Sequence, residues 1–253
     1  GDDAQASIGG EEILSLLDVP VYQPVVLSRM SVEEWRNSLG LTSDITWQIV
    51  FPEFEGIIEP LVIGSDKGYS TIDSDLRIVL EERSRKIAQR VAKQINLQRK
   101  SNSEKKVLIF LNNFPCAGVE ANIGAAAGLD SLESVSDILK RMKEEGYTVD
   151  APENGKELIE LILERKAYSE FRWTTIQEII KCGGAIHRMP VEEYNDYFKT
   201  LPESTQADVI NFWGEPPGMG MVFENEIVIT GVSFGNVIVA VQPKRGCYGS
   251  RCD

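Results

Sequence analysis

The sequence predicts an α/β protein: open, mostly parallel sheet segments flanked by helices, with a short antiparallel β section at the C-terminal end. Three observations carry this reading. Val107-Leu-Ile-Phe-Leu111 is a short unbroken apolar run, the pattern of a strand covered on both faces. A Gly-rich loop follows it, and then Asp130 and Glu133 at helix-opening spacing, so strand, loop and helix come in the order of an open α/β sheet. Residues 221–242 alternate β-branched stretches with Gly and Asn turn positions.

In chain order, Ile13, Leu14, Leu16 and Leu17 predict a short helix. Val19-Pro-Val-Tyr-Gln-Pro-Val-Val26 is extended, and Pro20 and Pro24, each lacking a ladder donor, keep it out of the middle of a sheet. Ser31 and Glu34 form a capping box for a helix running through Trp35 to a stop at Gly40. Ile45-Thr-Trp-Gln-Ile-Val-Phe51 is β-branched and aromatic and predicts a strand. Asp73 or Ser74 caps a long linking helix over 73–99, with Leu76, Leu80, Ile87, Val91 and Ile95 at helical period and basic residues in its second half. Lys100-Ser-Asn-Ser-Glu-Lys-Lys106 reads as a linker. The predicted organisation is an upstream α/β segment over 1–103 and a second over 104–253.

The second segment opens on the 107–111 strand. The loop from Asn112 to Gly128 contains Asn122-Ile-Gly-Ala-Ala-Ala-Gly128. The capped helix after it carries Leu132, Val135, Ile138, Leu139 and Met142 and ends at Gly146. Tyr147-Thr-Val149 predicts the next strand, completing a βαβ pattern, and Leu158, Ile159, Leu161 and Ile162 mark another helix. A helical insert spans about 154–213, with Pro190 and Pro202 in first turns and Gly214 as its stop.

Composition bounds the function. Apolar content of 42% and charged content of 26% are those of an ordinary globular protein, and no run reaches the ~18 apolar residues of a membrane span. A net charge of −13 argues against nucleic acid as the main partner and against any polyanion not met by a local cluster of donors. Cys116, Cys182, Cys247 and Cys252 lack paired zinc spacing, and a chain of 253 residues needs no disulfide framework, so a reducing cytoplasm is expected. Gly1-Asp-Asp-Ala-Gln carries neither Met nor a signal core, and the start reads as a cut within a longer chain.

The loop after 111 lies where open α/β sheets bind ligands, beyond a strand's carboxyl end. Its glycines lack dinucleotide spacing, and the sequence has no G-x-x-x-x-G-K-[ST], so ATP is not held here by a P-loop. His187, the only histidine, reads as a surface or capping residue, and Glu53, Glu55 and Glu59 as a solvated acidic loop. Trp35, Trp47 and Trp173 read as core or boundary residues. Trp213-Gly-Glu-Pro-Pro-Gly218 differs: its turn residues hold Trp213 and Glu215 in fixed positions. Gly235-Asn236 supplies a turn between strands, and Arg245 offers a planar fork for carboxylates.

Taken in order, several segments resemble the large-subunit family of tetrapyrrole metal chelatases, which comprises the CobN-type subunit of cobaltochelatase and the H subunit of magnesium chelatase. They are Pro52-Glu-x-x-Gly56-x-x-Glu59-Pro60, Asn113-Phe-Pro115, Asn122-Ile-Gly-x-Ala-Ala-Gly128-Leu-Asp130, Trp213-Gly-x-Pro-Pro-Gly218, and Phe234-Gly-Asn236 through Gln242-Pro-x-Arg245-Gly246. The Gln-Pro-Lys-Arg-Gly exit and the short link after Pro-Pro-Gly look closer to the cobalt type.

The resemblance implies ATP-dependent insertion of a divalent metal into a tetrapyrrole. For the cobalt type the metal goes into the corrin hydrogenobyrinate a,c-diamide, in cobalamin biosynthesis. It implies that separate AAA+ motor and adaptor subunits hydrolyse ATP-Mg, that this chain binds no cofactor of its own, and that cobalt is a substrate. Asn113, Asn122, Trp213, Glu215, Asn236, Gln242 and Arg245 are the tetrapyrrole-binding candidates, with Lys244 as a further donor beside Arg245. The family places a His-Gly-x-x-Glu segment, tied to metal insertion, downstream of the Gln-Pro-x-Arg-Gly loop; it is expected after Asp253, so this fragment is expected to bind or scaffold without chelating alone. Two alternatives stand beside this: a chelatase for magnesium or another divalent metal acting on protoporphyrin, and a non-catalytic scaffold that docks the AAA+ subunits.

Overall fold

A computed structural model describes residues 10–28, 30–41, 44–66, 77–113, 122–169, 174–218 and 220–243. The sequence-based expectations for Asp73, Ser74, Leu76, Phe114, Pro115, Cys116, Trp173, Lys244, Arg245, Gly246, Cys247 and Cys252 lie outside these residues. The chain folds as two units divided between Arg99 and Lys100. Among the described residues, no helix is long and apolar enough to cross a membrane.

The first unit runs through α1 (Gly10–Ser15), β1 (Tyr22–Leu27), α2 (Val32–Arg36), a π-helical turn (Thr46–Val50) that continues into α3 (Phe51–Phe54), β2 (Ile58–Asp66), β3 (Arg77–Val79) and α4 (Glu81–Arg99). Its sheet has the order β1-β2-β3, with β1 parallel and β3 antiparallel to β2. Pro24 puts β1 at an edge, as the missing donor requires. Val25, Leu27 and Val62 form the core, with Met30, Trp35, Leu41 and Leu80 packed against it. The Ser31–Glu34 capping box opens α2 as expected, although α2 ends at Arg36, before Gly40.

Three expectations are corrected here. Ile45–Phe51 is helical instead of a strand, because side-chain hydrogen bonds outweigh a weak β propensity. Gln48 accepts from the Val26 amide at 3.1 Å and donates Nε2 to the Val26 carbonyl at 2.8 Å, so a single carboxamide closes the edge that a strand would have paired. Trp47 turns outward, 74% exposed, instead of joining the core. The long helix begins at Glu81, and Arg77–Val79 is a strand instead of helix. The reason is local: Gly64 lets the Ile78 carbonyl approach to where a Cβ would stand only 2.5 Å away, and the Leu80 amide bonds to the Ile63 carbonyl at 2.7 Å.

The second unit contains β4 (Val107–Leu111), α5 (Ser131–Glu144), α6 (Gly155–Glu164), α7 (Ile176–Lys181), β5 (Ala185–Pro190), α8 (Val191–Lys199), α9 (Glu203–Trp213), β6 (Val222–Phe223), β7 (Glu226–Thr230), β8 (Val232–Phe234) and β9 (Val237–Val241). Two small sheets result: β4-β9-β8, with β4 parallel and β8 antiparallel to β9, and the antiparallel β5-β7-β6. Gly231 alone separates β7 from β8 and thus joins the sheets. The α/β class holds, with parallel pairing confined to one pair in β1-β2-β3 and one in β4-β9-β8.

The main core lies between β4-β9-β8 and the helices α5 and α6: Leu111, Val135, Leu139, Leu158, Ile162, Val237, Val239 and Val241 are buried together. Asp130 caps α5, its side chain accepting from the Glu133 amide at 3.0 Å. Glu133 does not complete the box; its carboxylate accepts from the Gly155 amide at 2.7 Å and so caps α6 instead. A Cβ on Gly155 would stand 2.5 Å from the Glu133 nitrogen, so this close approach of α6 to α5 requires glycine.

Three more expectations change. Tyr147–Val149 joins no ladder: the Thr148 carbonyl accepts from the Asn236 amide at 2.8 Å, and β9 takes the place beside β4 that a βαβ unit would have filled. The insert over 154–213 contains β5, because β5 finds a partner in β7 that lies beyond the insert in sequence. Strand β4, expected from its apolar run to be covered on both faces, lies at the edge of its sheet among the described residues.

Gln48→Ala is expected to destabilise the first unit by about 1–3 kcal/mol, since it leaves the Val26 amide and carbonyl unpaired. Gln48→Glu should cost at least as much, because a carboxylate would then face that carbonyl. Thermal unfolding of both variants checks the order.

Glu34, Glu104 and Glu178 are each held below the ordinary carboxylate range. For Glu34 and Glu178 the main cause is the backbone amide of Ser31 or Thr175, followed by the hydroxyl of the same residue; for Glu104 it is the Ser101 hydroxyl, followed by the Ser101 amide. A depressed pKa means that the boxes stabilise fully above the unfolded value of ~4.3 and lose that contribution as pH falls through the lowered folded values. An NMR carboxyl titration should show this, with Thr175→Ala moving the Glu178 midpoint back upward.

Candidate functional site at the carboxyl ends of the parallel strands

Strands β4 and β9 run parallel and in register, from Val107 opposite Val237 to Leu111 opposite Val241. Their carboxyl ends therefore open side by side. Asn112 and Asn113 leave β4 there, and Gln242 and Pro243 leave β9, with the Gln242 amide donating to the Leu111 carbonyl at 2.9 Å. A cleft of about 490 Å³ lies between them, lined by Phe110, Leu111, Asn112, Gln242 and Pro243.

The Gly-rich loop is tied to the same end. The Asn112 carbonyl accepts from the Gly124 amide at 2.8 Å, and Asn112 Nδ2 donates to the Ala125 carbonyl at 3.1 Å. Within the loop, the Asn122 carbonyl accepts from the Ala125 amide at 3.1 Å. Gly124 has φ 73°, and a Cβ there would stand 2.6 Å from Ser131 Oγ, which donates to the Gly124 carbonyl. The N-terminus of α5 is no open anion site, because the Asp130 carboxylate already accepts from its first turn.

Asn113 is the informative member. It is 8% exposed, and its Oδ1 is buried with no hydrogen-bond partner among the described residues. A buried carbonyl oxygen left unpaired forfeits about 1–3 kcal/mol, a cost that a donor supplied from outside would recover. The site therefore offers carboxamides and an aromatic wall: neutral donors and acceptors suited to orienting a flat, apolar ligand with polar substituents. Among the described residues, no three His, Cys, Asp or Glu side chains converge as a metal-binding set.

The other predicted residues are dispersed. Trp213 ends α9, 48% exposed and edge-on to Phe212 at 4.6 Å between ring centroids. Gly214, at φ 90°, stops the helix as expected, and the Gly218 amide closes the next turn onto the carbonyl of exposed Glu215 at 3.0 Å. Neither Trp213 nor Glu215 lines the cleft. Asn236 stands at the opposite end of β9, about 17 Å from the cleft by strand rise. Its Nδ2 donates to the Ser103 carbonyl at 2.8 Å, and its own carbonyl accepts from the Val107 amide at 3.0 Å, which sets the register of β4 and β9. His187 on β5 and Cys182 are exposed as surface residues would be, whereas Glu59, expected in a solvated loop, is half-buried in β2 and pairs with Arg90 at 2.8 Å. Sequence reasoning missed Phe110 and Asn112. The Asn112–Asn113 pair directly after an apolar strand was the available signal for Asn112; nothing in a continuous apolar run distinguishes Phe110.

A profile of the CobN/Magnesium Chelatase family matches residues 1–253. The chain belongs to that family. Within it, the chelatase-family chain is 48% identical to an uncharacterized protein of Methanocaldococcus jannaschii over 97% of its own length and 21% of the relative's. It is 30% identical to the rice magnesium-chelatase subunit ChlH, chloroplastic, over 93% of its length and 16% of that protein. The solved catalytic subunit of cobaltochelatase from Mycobacterium tuberculosis superposes with a TM-score of 0.74 at 28% identity, covering 93% of this chain and 19% of that one. The chain thus spans about one fifth of the length of the relatives it matches.

The geometry separates two asparagines that look alike in sequence. Asn236→Ala, which removes one of two donors to the Ser103 carbonyl and leaves Thr148 Oγ1 at 3.0 Å, is expected to cost about 1 kcal/mol and lower Tm by roughly 2–4 °C. Asn113→Ala removes an unpaired oxygen and should leave Tm unchanged or raise it. Thermal melts of the ligand-free protein distinguish them.

Proposed function

We propose that this chain is the part of a cobaltochelatase large subunit that forms one wall of the tetrapyrrole cleft, in an enzyme that inserts cobalt into a corrin while separate AAA+ subunits hydrolyse ATP. The observation that carries the reading is the unpaired, buried Oδ1 of Asn113 beside a cleft that Gln242 and Phe110 line. Family membership supports a tetrapyrrole as the ligand class for that cleft. A corrin carries several carboxylates, which a chain of net charge −13 must meet with local donors. Arg245 follows Gln242 by three residues, and Lys244 precedes it, so both belong to the proposed donor set. Each desolvated charge-assisted bond of this kind contributes roughly 1.5–3 kcal/mol. Cobalt is substrate here, and its insertion is assigned to residues beyond this chain. The Gln-Pro-Lys-Arg-Gly exit favours cobalt over magnesium. Cysteine usage favours the cytoplasm.

Two further readings have observations of their own. Identity to ChlH of 30% equals the 30% to an aerobic cobaltochelatase subunit CobN, so magnesium insertion into protoporphyrin stands as a second reading. Trp213 and Glu215 lie away from the cleft lining, which supports a docking role for that turn.

Absorbance titration of the full-length polypeptide with corrin and with porphyrin decides among these. Tighter corrin binding is expected, with Asn113→Ala and Gln242→Ala each weakening it about tenfold, or ~1.4 kcal/mol. Tighter porphyrin binding would move the assignment to magnesium. Unchanged affinity in both variants, with assembly lost in Trp213→Ala, would leave the scaffold role.

A further inference from the structure

Strand β4 is built for more cover than the described residues give it. Its side chains alternate: Val107, Ile109 and Leu111 pack on the main core, while Leu108 is 53% and Phe110 62% exposed. Its backbone alternates as well. The Val107 amide donates to the Asn236 carbonyl and the Leu111 carbonyl accepts from the Gln242 amide, so residues 107, 109 and 111 face β9. By the pleat, the amides and carbonyls of Leu108 and Phe110 then point to the other edge, where no strand of the described residues lies. The same two residues therefore expose an apolar side chain and unpaired backbone groups together.

We propose that this edge and face are completed by a β-strand from a part of the same polypeptide outside residues 1–253, laid against β4 so that β4 becomes an interior strand. Three observations select that occupant. The five-residue apolar run is the composition of a strand buried on both faces. About four fifths of the length of matched relatives lies outside the region this chain covers, and a polypeptide of their length has ample chain to supply the strand. An open apolar edge is also a template for aggregation, which favours a permanent occupant over one that comes and goes. The added strand would border Phe110 and hence the cleft, making it a second wall of the site. The inference holds whichever metal or macrocycle the protein takes.

Residue-resolved hydrogen exchange on the full-length polypeptide, without other subunits or ligand, tests it. The Leu108 and Phe110 amides should be protected to within about tenfold of the Ile109 amide. Exchange of Leu108 and Phe110 at least a hundredfold faster than Ile109 would overturn the proposal. The occupant is identified by placing p-benzoylphenylalanine at position 110 and, separately, at position 108. The expected photoproduct joins that position to a peptide outside 1–253 of the same polypeptide, in a yield unchanged by tenfold dilution. Cross-links between two copies that fall with dilution, or cross-links formed only after motor subunits are added, would overturn it in favour of self-association or subunit docking.

Discussion

The parallel pairing of β4 with β9 is the constraint on which the second unit depends. It joins positions about 130 residues apart, and closing a loop of that length costs roughly 4 kcal/mol in chain entropy. Val237, Val239 and Val241 are 0–2% exposed in the resulting core, and burying each stabilises by about 1.5–3 kcal/mol. Burial of these three side chains alone therefore outweighs the closure cost. Parallel direction matters as much as strength. Because the strands run the same way, their carboxyl ends meet, and Asn112 and Gln242 are brought to one cleft, with Asn113 next in chain, although sequence separates them by most of the unit.

The polar residues around this pair divide by the end at which they stand. At the amino end, Asn236 is tied on three sides: its Nδ2 holds Ser103 and its backbone holds Val107 and Thr148. At the carboxyl end, Asn112 organises the Gly-rich loop, whereas Asn113 retains an oxygen with no partner among the described residues. One end fixes register, and the other carries the cleft to which the proposed function assigns the ligand. Helix capping follows a similar economy, with Glu133 capping α6 in place of its own helix, so that two helices and the loop are held as a set.

Much of the fold was legible because its signals are local. The Ser31–Glu34 box, the Asp130 cap, Gly214 as a helix stop and the Gly235 turn each depend on residues within a few positions of one another. The failures were cases where a distant partner decided. Ile45–Phe51 has strand-like composition, but Gln48 reaches Val26 and holds the segment as a helical turn. Arg77–Val79 lies at helical period but is captured by β2. Tyr147–Val149 suits a strand, yet β9 occupies the place beside β4.

By itself the sequence determined the α/β class, the caps and turns, the edge position of Pro24, and the motif order shared with the chelatase family, since each depends on composition or on short spacing. Only the tertiary structure decided which candidates share a site. It gathered Asn113, Gln242 and the Asn122 turn at one end of a strand pair, sent Asn236 to the other end, and kept Trp213 and Glu215 off the cleft lining. The physical reason is that hydrogen-bond complementarity between strands distant in sequence sets direction and register, and no local pattern encodes which strand will be the partner.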